Sequence, residues 1–210
     1  MTTSATSTTQ AKLPETTGIG KTNQETVSGF DSAMHWHDKL RDGTRVLIRP
    51  IGKDDGALER AFIERLSPES REYRFLGQVA VNDNLVRELT DLDYQRDMAF
   101  IALRHDAGEK REIGVSRFCV SKDGESCECA VVVSDEWQDK GLGTLLMRHL
   151  IEVARQRGIK RMISIDMAEN VGMRNLAKSL GFDRKIYVDY PSEVIHTLDL
   201  QSQSANRALA

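Results

Sequence analysis

The chain has 210 residues, 40% hydrophobic and 29% charged, which suits one domain with a full core plus a tail. A net charge of −3 argues against wholesale attraction to nucleic acid. No apolar run approaches the roughly 20 residues of a membrane-spanning helix, and the N-terminus lacks the basic start and apolar stretch of a secretory signal. Three cysteines, Cys119, Cys127 and Cys129, cannot all pair within one chain. They fit small apolar residues of a sheet in a reducing, cytoplasmic setting.

Residues Met1 to about Gly29 are rich in Thr, Ser, Gln and Gly and nearly free of large apolar side chains. Such a stretch buries too little surface to offset its ordering entropy. The expected division is a disordered tail over 1–35, a domain over 36–200 and a flexible end over 201–210. A turn at Asp42-Gly43 precedes a strand from Thr44 to Arg49 that ends at Pro50. Asp54 or Asp55 is expected to cap a helix with Leu58, Phe62, Ile63 and Leu66 on one face. Ser67-Pro68 opens a second short helix, and Leu85, Leu89 and Leu92 align on a third from Asn84. Met98–Leu103 and Ile113–Val120 read as strands joined at Asp106-Ala107-Gly108, and Asp123-Gly124 leads to another over Cys127–Val133. Cys127 and Cys129, two residues apart, point to one face of that strand.

The pattern then changes. Gly141 to Arg157 is a strongly amphipathic helix, with Leu145, Leu146, His149, Leu150 and Val153 near one face. A strand over Met162–Met167, a helix over Val171–Leu180 and strands over Arg184–Asp189 and Glu193–Leu200 follow, the last two joined at Pro191-Ser192. The expectation is one α/β (α+β) domain, its mixed, mainly antiparallel sheet of about seven strands flanked by helices.

The chemistry concentrates where a strand ends in Val131-Val132-Val133 and Gln138-Asp139-Lys140-Gly141-Leu142-Gly143-Thr144 opens a helix. Backbone N–H groups without intrahelical partners and the positive dipole end make such a turn an anion site, and glycines permit close approach. A P-loop would place Lys-Ser or Lys-Thr after its glycines, whereas Lys140 precedes them. A dinucleotide fingerprint would need a third glycine near Leu146.

Gln138-x-x-Gly141-x-Gly143 between an apolar strand and a long helix resembles motif A of the GNAT superfamily of N-acetyltransferases. Downstream, Ala168-Glu169-Asn170 and Asn175 to Phe182 resemble that family's second conserved stretch. Upstream, Leu66 to Arg71 with Tyr73-Arg74-Phe75 is similar to the GNAT domain of bacterial Pat-type protein lysine acetyltransferases. The resemblance spans roughly Thr44 to Leu200. It implies a GNAT-like sheet, acetyl-CoA as co-substrate and an amine acceptor, either a protein lysine or a small molecule, with no nucleic acid and no membrane partner. A non-catalytic module that senses acyl-CoA is the alternative from another class.

The resemblance also implies roles. Main-chain groups along Val131, Val132 and Val133 would pair with the pantetheine arm like an added strand. Gln138 belongs to the motif, and amides from Asp139, Lys140, Gly141, Leu142, Gly143 and Thr144 would hold the pyrophosphate. Asn170 would hydrogen-bond the cofactor arm, a residue type that helix capping explains equally well. The helix through Ala177 would pack beside the arm. Many relatives carry a tyrosine at the Ala177 position as general acid, so the proton donor to the leaving thiolate is open, with Tyr187 and Tyr190 as weak substitutes. Transfer needs a neutral amine, and a carboxylate can take its proton. Glu128, three residues before Val131, is the candidate base, with Glu125 and Glu136 as alternatives. Trp137 is expected to pack at the strand-to-helix corner and His149 at the edge of the core.

Overall fold

A computed structural model describes residues 34–106, 108–186 and 192–201. Eight strands form one sheet: β1 (Trp36–Lys39), β2 (Arg45–Pro50), β3 (Asp97–Asp106), β4 (Glu109–Val120), β5 (Ser126–Val133), β6 (Arg161–Met167), β7 (Asp183–Ile186) and β8 (Glu193–Asp199). Their spatial order is β1-β2-β3-β4-β5-β6-β8-β7, and among the described residues only β5 and β6 pair in parallel. Five helices cover the sheet: α1 (Gly56–Arg65), α2 (Pro68–Phe75), α3 (Asp83–Thr90), α4 (Leu142–Gln156) and α5 (Val171–Ser179). Residues 1–33, 107, 187–191 and 202–210 lie outside the described residues, so the expected disordered tail, the end of the strand expected to reach Asp189, Tyr187, Tyr190 and the Pro191 turn do too.

The sheet has one strand more than expected. Trp36–Lys39 alternates half-buried and exposed, too short a pattern to stand out in sequence. It is held from above: Trp36 stacks on His149 of α4 at 4.0 Å, and His149 Nε2 lies 2.7 Å from Asp38. His149 is thus a half-buried clasp between helix and edge strand.

Local chemistry explains the helix starts. Ser67 Oγ accepts from Ser70 N with Pro68 in the first turn, and Asn82 caps α3 by accepting from Leu85 N. Asp55 stands at the N-cap of α1 but makes no capping bond. Its carboxylate instead receives two 2.7 Å bonds from Arg49 and one from Gly52 N. A two-pronged charged partner outcompetes a helix amide. Burial alone would raise the Asp55 pKa, and these donors outweigh it to leave the pKa lowered.

Two cores sandwich the sheet. On one face α4 and α5 bury Leu142, Leu146, Leu150, Met173 and Ala177 against Phe100, Phe118, Cys127, Cys129 and Met162. On the other, Phe62, Ile63 and Leu89 of α1 and α3 pack on Ala99, Ile101 and Val115. Cys127 and Cys129 are therefore free, buried side chains on one face, as their spacing predicted.

Candidate active site

The site forms where β5 and β6 part. Their pairing comprises Ser126, Cys127 and Glu128 against Arg161, Met162 and Ile163. Beyond this, β5 continues to Val133 bonded on its other side to β4, while β6 continues to Met167 against β8. A wedge-shaped gap opens between the two strands just after Glu128.

Strand parity decides which backbone groups face that gap. Opposed antiparallel residues alternately exchange both their hydrogen bonds. Ser134 N donates to Ile113 O and Ser121 N to Ser126 O, so even-numbered residues at both ends of β5 bond to β4. The main-chain groups of Cys129, Val131 and Val133 consequently turn away from β4, towards the gap. Val132 has the opposite parity: its main chain belongs to β4 and its side chain packs on the α1–α3 core. At the end of the gap Gln138 Nε2 donates to Val133 O at 3.2 Å and to Ser70 Oγ at 3.3 Å, occupying one of the exposed carbonyls.

The gap leads to the N-terminus of α4. Asp139 and Gly141 adopt left-handed backbone, with φ of 59° and 89°, which turns the chain sharply into the helix. The first intrahelical bond found there runs from Leu145 N to Gly141 O, leaving the amides of Leu142, Gly143 and Thr144 without partners inside the helix. Lys140 Nζ lies over the buried Trp137 ring at 4.3 Å, and Arg104 over the same ring at 4.7 Å. Trp137 is thus the corner packing expected of it. A side chain at Gly143 would begin 3.3 Å from Leu176 Cδ2. That glycine therefore also serves the close packing of α5 on α4, a role the motif does not reveal. Asn170 caps α5, its Oδ1 accepting from Met173 N at 2.9 Å, and Ala177 is fully buried.

Glu128 shares parity with Val132, so its side chain projects on the α1–α3 face at the inner end of the gap. Burial raises its pKa, the charge of Asp166 adds to the rise, and the Arg74 guanidinium of α2 opposes it. Burial also lowers Arg74 itself to about 10, with Arg117 adding to the fall and Glu59 and Glu128 opposing it. The alternative carboxylates are engaged elsewhere: Glu125 pairs with Lys160, and Glu136 with Arg111 at 2.6 Å. Sequence reasoning missed three groups near the gap. Arg74 approaches Glu128 from another element, and Asp166 and His196 meet across 30 positions of sequence. Asp166 and His196 have no local motif, and the Tyr73-Arg74-Phe75 segment gives no sign that Arg74 faces Glu128.

A parted strand pair running into an open helix N-terminus can accept an extended, anionic ligand along its edge. Family comparison decides the identity: residues 61–182 match the model of the acetyltransferase (GNAT) family. The chain belongs to the GNAT family of acetyltransferases. It is 47% identical over 167 residues to an acetyltransferase of Pseudomonas aeruginosa, covering 79% of this chain and 90% of that one. Among solved structures, the GNAT domain of S. lividans Pat superposes with a TM-score of 0.71 at 26% identity, covering 79% of this chain and 96% of that one. A ribosomal-protein-S5-alanine acetyltransferase from Vibrio fischeri shares the fold, with a TM-score of 0.62 at 13% identity, 78% and 98% covered. The gap, the glycine turn and the α4 terminus are thus features of a GNAT acetyltransferase fold. Members of this family generally use acetyl-CoA. No described helix is long and apolar enough to cross a membrane.

Proposed function

We propose that this enzyme transfers the acetyl group of acetyl-CoA to an amine by direct attack, with Glu128 as general base. The observation that carries this reading is the unpaired edge of β5, which begins beside Glu128 and ends at the open amides of α4. The residues fit the co-substrate. Main-chain groups of Val131 would pair with the amides of the pantetheine arm, the amides from Asp139 to Thr144 would receive the pyrophosphate, and Asn170 has side-chain N–H groups left after capping α5. Acetyl-CoA supplies the acyl group already activated as a thioester.

The base assignment follows from position and charge. Glu128 stands at the inner end of the gap, where the acyl end of an arm laid along β5 would arrive. A carboxylate with a raised pKa holds a proton better, which brings a base closer to the pH at which it works. Activity should fall as pH drops through that raised value, because the protonated form cannot accept the amine's proton. For the acceptor, similarity to the Pat domain supports a protein lysine, and a small-molecule amine is the second reading. Residues 36–200 are read as the catalytic unit.

The test has two steps. Acetyl-CoA should raise the melting temperature by binding the folded state, Gly143→Ala should keep that shift, and Gly143→Glu should abolish it. Alanine serves as the control because its Cβ would meet only side-chain ends among the described residues, Leu176 Cδ2 at 3.3 Å and Val133 Cγ2 at 3.7 Å. CoA release over a panel of amines and lysine peptides then identifies the acceptor. An undiminished shift in folded Gly143→Glu would place the phosphates elsewhere.

A further inference from the structure

We propose that Arg41, in the loop between β1 and β2, is a phosphate-binding residue that grips the diphosphate of acetyl-CoA. The proposal deepens the acetyl-CoA reading above and rests on it. The loop is docked on the glycine turn that opens α4. Arg41 N donates to Lys140 O at 3.1 Å. Its side chain lies along Gly141: Cγ and Nε each stand 3.4 Å, and Cδ 3.7 Å, from where a Cβ would begin. The guanidinium therefore starts beside the N-cap of α4, one residue before the open amides of Leu142, Gly143 and Thr144. A side chain at position 141 would meet the arginine, so this glycine leaves room for a neighbour as well as turning the chain.

The loop is held by its own contacts. Leu40 is buried in the core that α4 covers, Leu40 N donates to Thr44 O at 2.8 Å and Gly43 N to Leu40 O at 3.0 Å. Asp42 Oδ1 accepts from Thr44 N at 2.9 Å. Backbone and stem are thus fixed on the turn. Arg41 is nevertheless exposed, and its guanidinium has no hydrogen bond or ion pair among the described residues. A cation placed in advance loses little freedom when an anion arrives.

The charge balance at the turn calls for this cation. Lys140, the cation within the motif, is turned elsewhere: its Nζ lies 4.3 Å over the Trp137 ring and 3.6 Å from Asp42 Oδ2. Asp139 adds an exposed carboxylate to the turn. Two carboxylates, Asp42 and Asp139, against the single ammonium of Lys140 would leave a net negative charge beside an anion site, and Arg41 cancels it. The helix dipole and open amides then attract phosphate without an opposing charge. A guanidinium also meets phosphate oxygens with a planar fork of donors, which an ammonium does not offer. The family match begins at residue 61, so this loop lies outside it, and the glycine motif gives no sign of Arg41.

Calorimetric titration with CoA and with 3′-dephospho-CoA, which keeps the diphosphate but lacks the ribose phosphate, tests this. Arg41→Met keeps an apolar stem on Gly141 and removes the charge. It should bind both compounds roughly tenfold more weakly, the scale of losing one hydrogen bond to a charged group. Its melting temperature without them should match the parent's. Arg41→Lys should recover part of the loss. Lys122→Gln, which removes an exposed positive charge in the turn at the other end of β5, should bind as the parent does. Added salt should weaken the parent more than Arg41→Met, because screening acts on the charge that the variant lacks. A loss confined to CoA moves Arg41 to the ribose phosphate and overturns the diphosphate assignment. Parent-like binding of both compounds by Arg41→Met, or no recovery in Arg41→Lys, overturns the proposal and leaves the acetyl-CoA reading intact. A parent that binds neither compound overturns both.

Discussion

Gly114 of β4 lies under helix α4 with no room for a side chain. A Cβ there would stand 3.1 Å from Leu146 Cδ1, 3.2 Å from the Val132 carbonyl oxygen and 3.3 Å from Leu142 Cδ2. The leucine ends can shift, but the carbonyl belongs to the β4–β5 ladder and cannot. Overpacking of this kind costs about 1–3 kcal/mol. For a domain of this size each kcal/mol moves Tm by roughly 2–4 °C, so Gly114→Ala should melt about 2–12 °C lower. Leu146 is fully buried, and Leu146→Ala alone should cost about 2–5 kcal/mol through its cavity. The double variant should lose less than the sum, because removing Leu146 Cδ1 vacates space that the new methyl needs. Thermal denaturation of the four proteins measures the cycle. Because Leu142 stands in the first turn of α4, acetyl-CoA should also stabilise Gly114→Ala less than the parent. An unchanged Tm, or strict additivity in the cycle, would refute this account of how α4 is seated.

Other outcomes follow from the same reasoning. Glu112 is fully buried beside Glu59, and burial first, then the Glu59 charge, raises its pKa well above the usual carboxylate value. The folded state therefore binds a proton that the unfolded state has released, and stability falls as pH rises from the ordinary glutamate range through the folded value. Glu112→Gln should remove that fall, gaining in Tm relative to the parent at pH 8 more than at pH 5; an equal change at both would contradict it. Deleting Met1 to Gly29 should leave both the cooperative melt and the acetyl-CoA shift intact, as circular dichroism would show. The described core reaches back only to Met34.

Much of this architecture is legible in the sequence because it is local. Alternation gives the strands, 3.6-residue periodicity gives α4, and the glycines after Val133 give the turn into its N-terminus. What stays hidden depends on partners distant in sequence. Asp55 has the residue type and position of a cap, and only the neighbouring strand reveals that Arg49 claims it. Gly143 carries a motif glycine's signature, and the approach of Leu176 becomes visible only once α5 has packed. The gap itself has no sequence signature, because it arises where β5 and β6 stop pairing after three residues each. Asp166 and His196 read as unremarkable strand residues until β6 and β8 come together.

The most direct test of the central claim is the pH dependence of turnover in Glu128→Gln. The substitution keeps size and most hydrogen bonds but removes the proton acceptor, so at pH 7 the rate should drop by about 10²–10⁴ with acetyl-CoA affinity unchanged. The defect should shrink as pH rises towards the acceptor amine's own pKa, roughly 10.4 for an unperturbed lysine, where the amine arrives neutral. Near-full activity at pH 7 would contradict Glu128 as base, and an equal loss at every pH would make it a residue that only positions the acceptor.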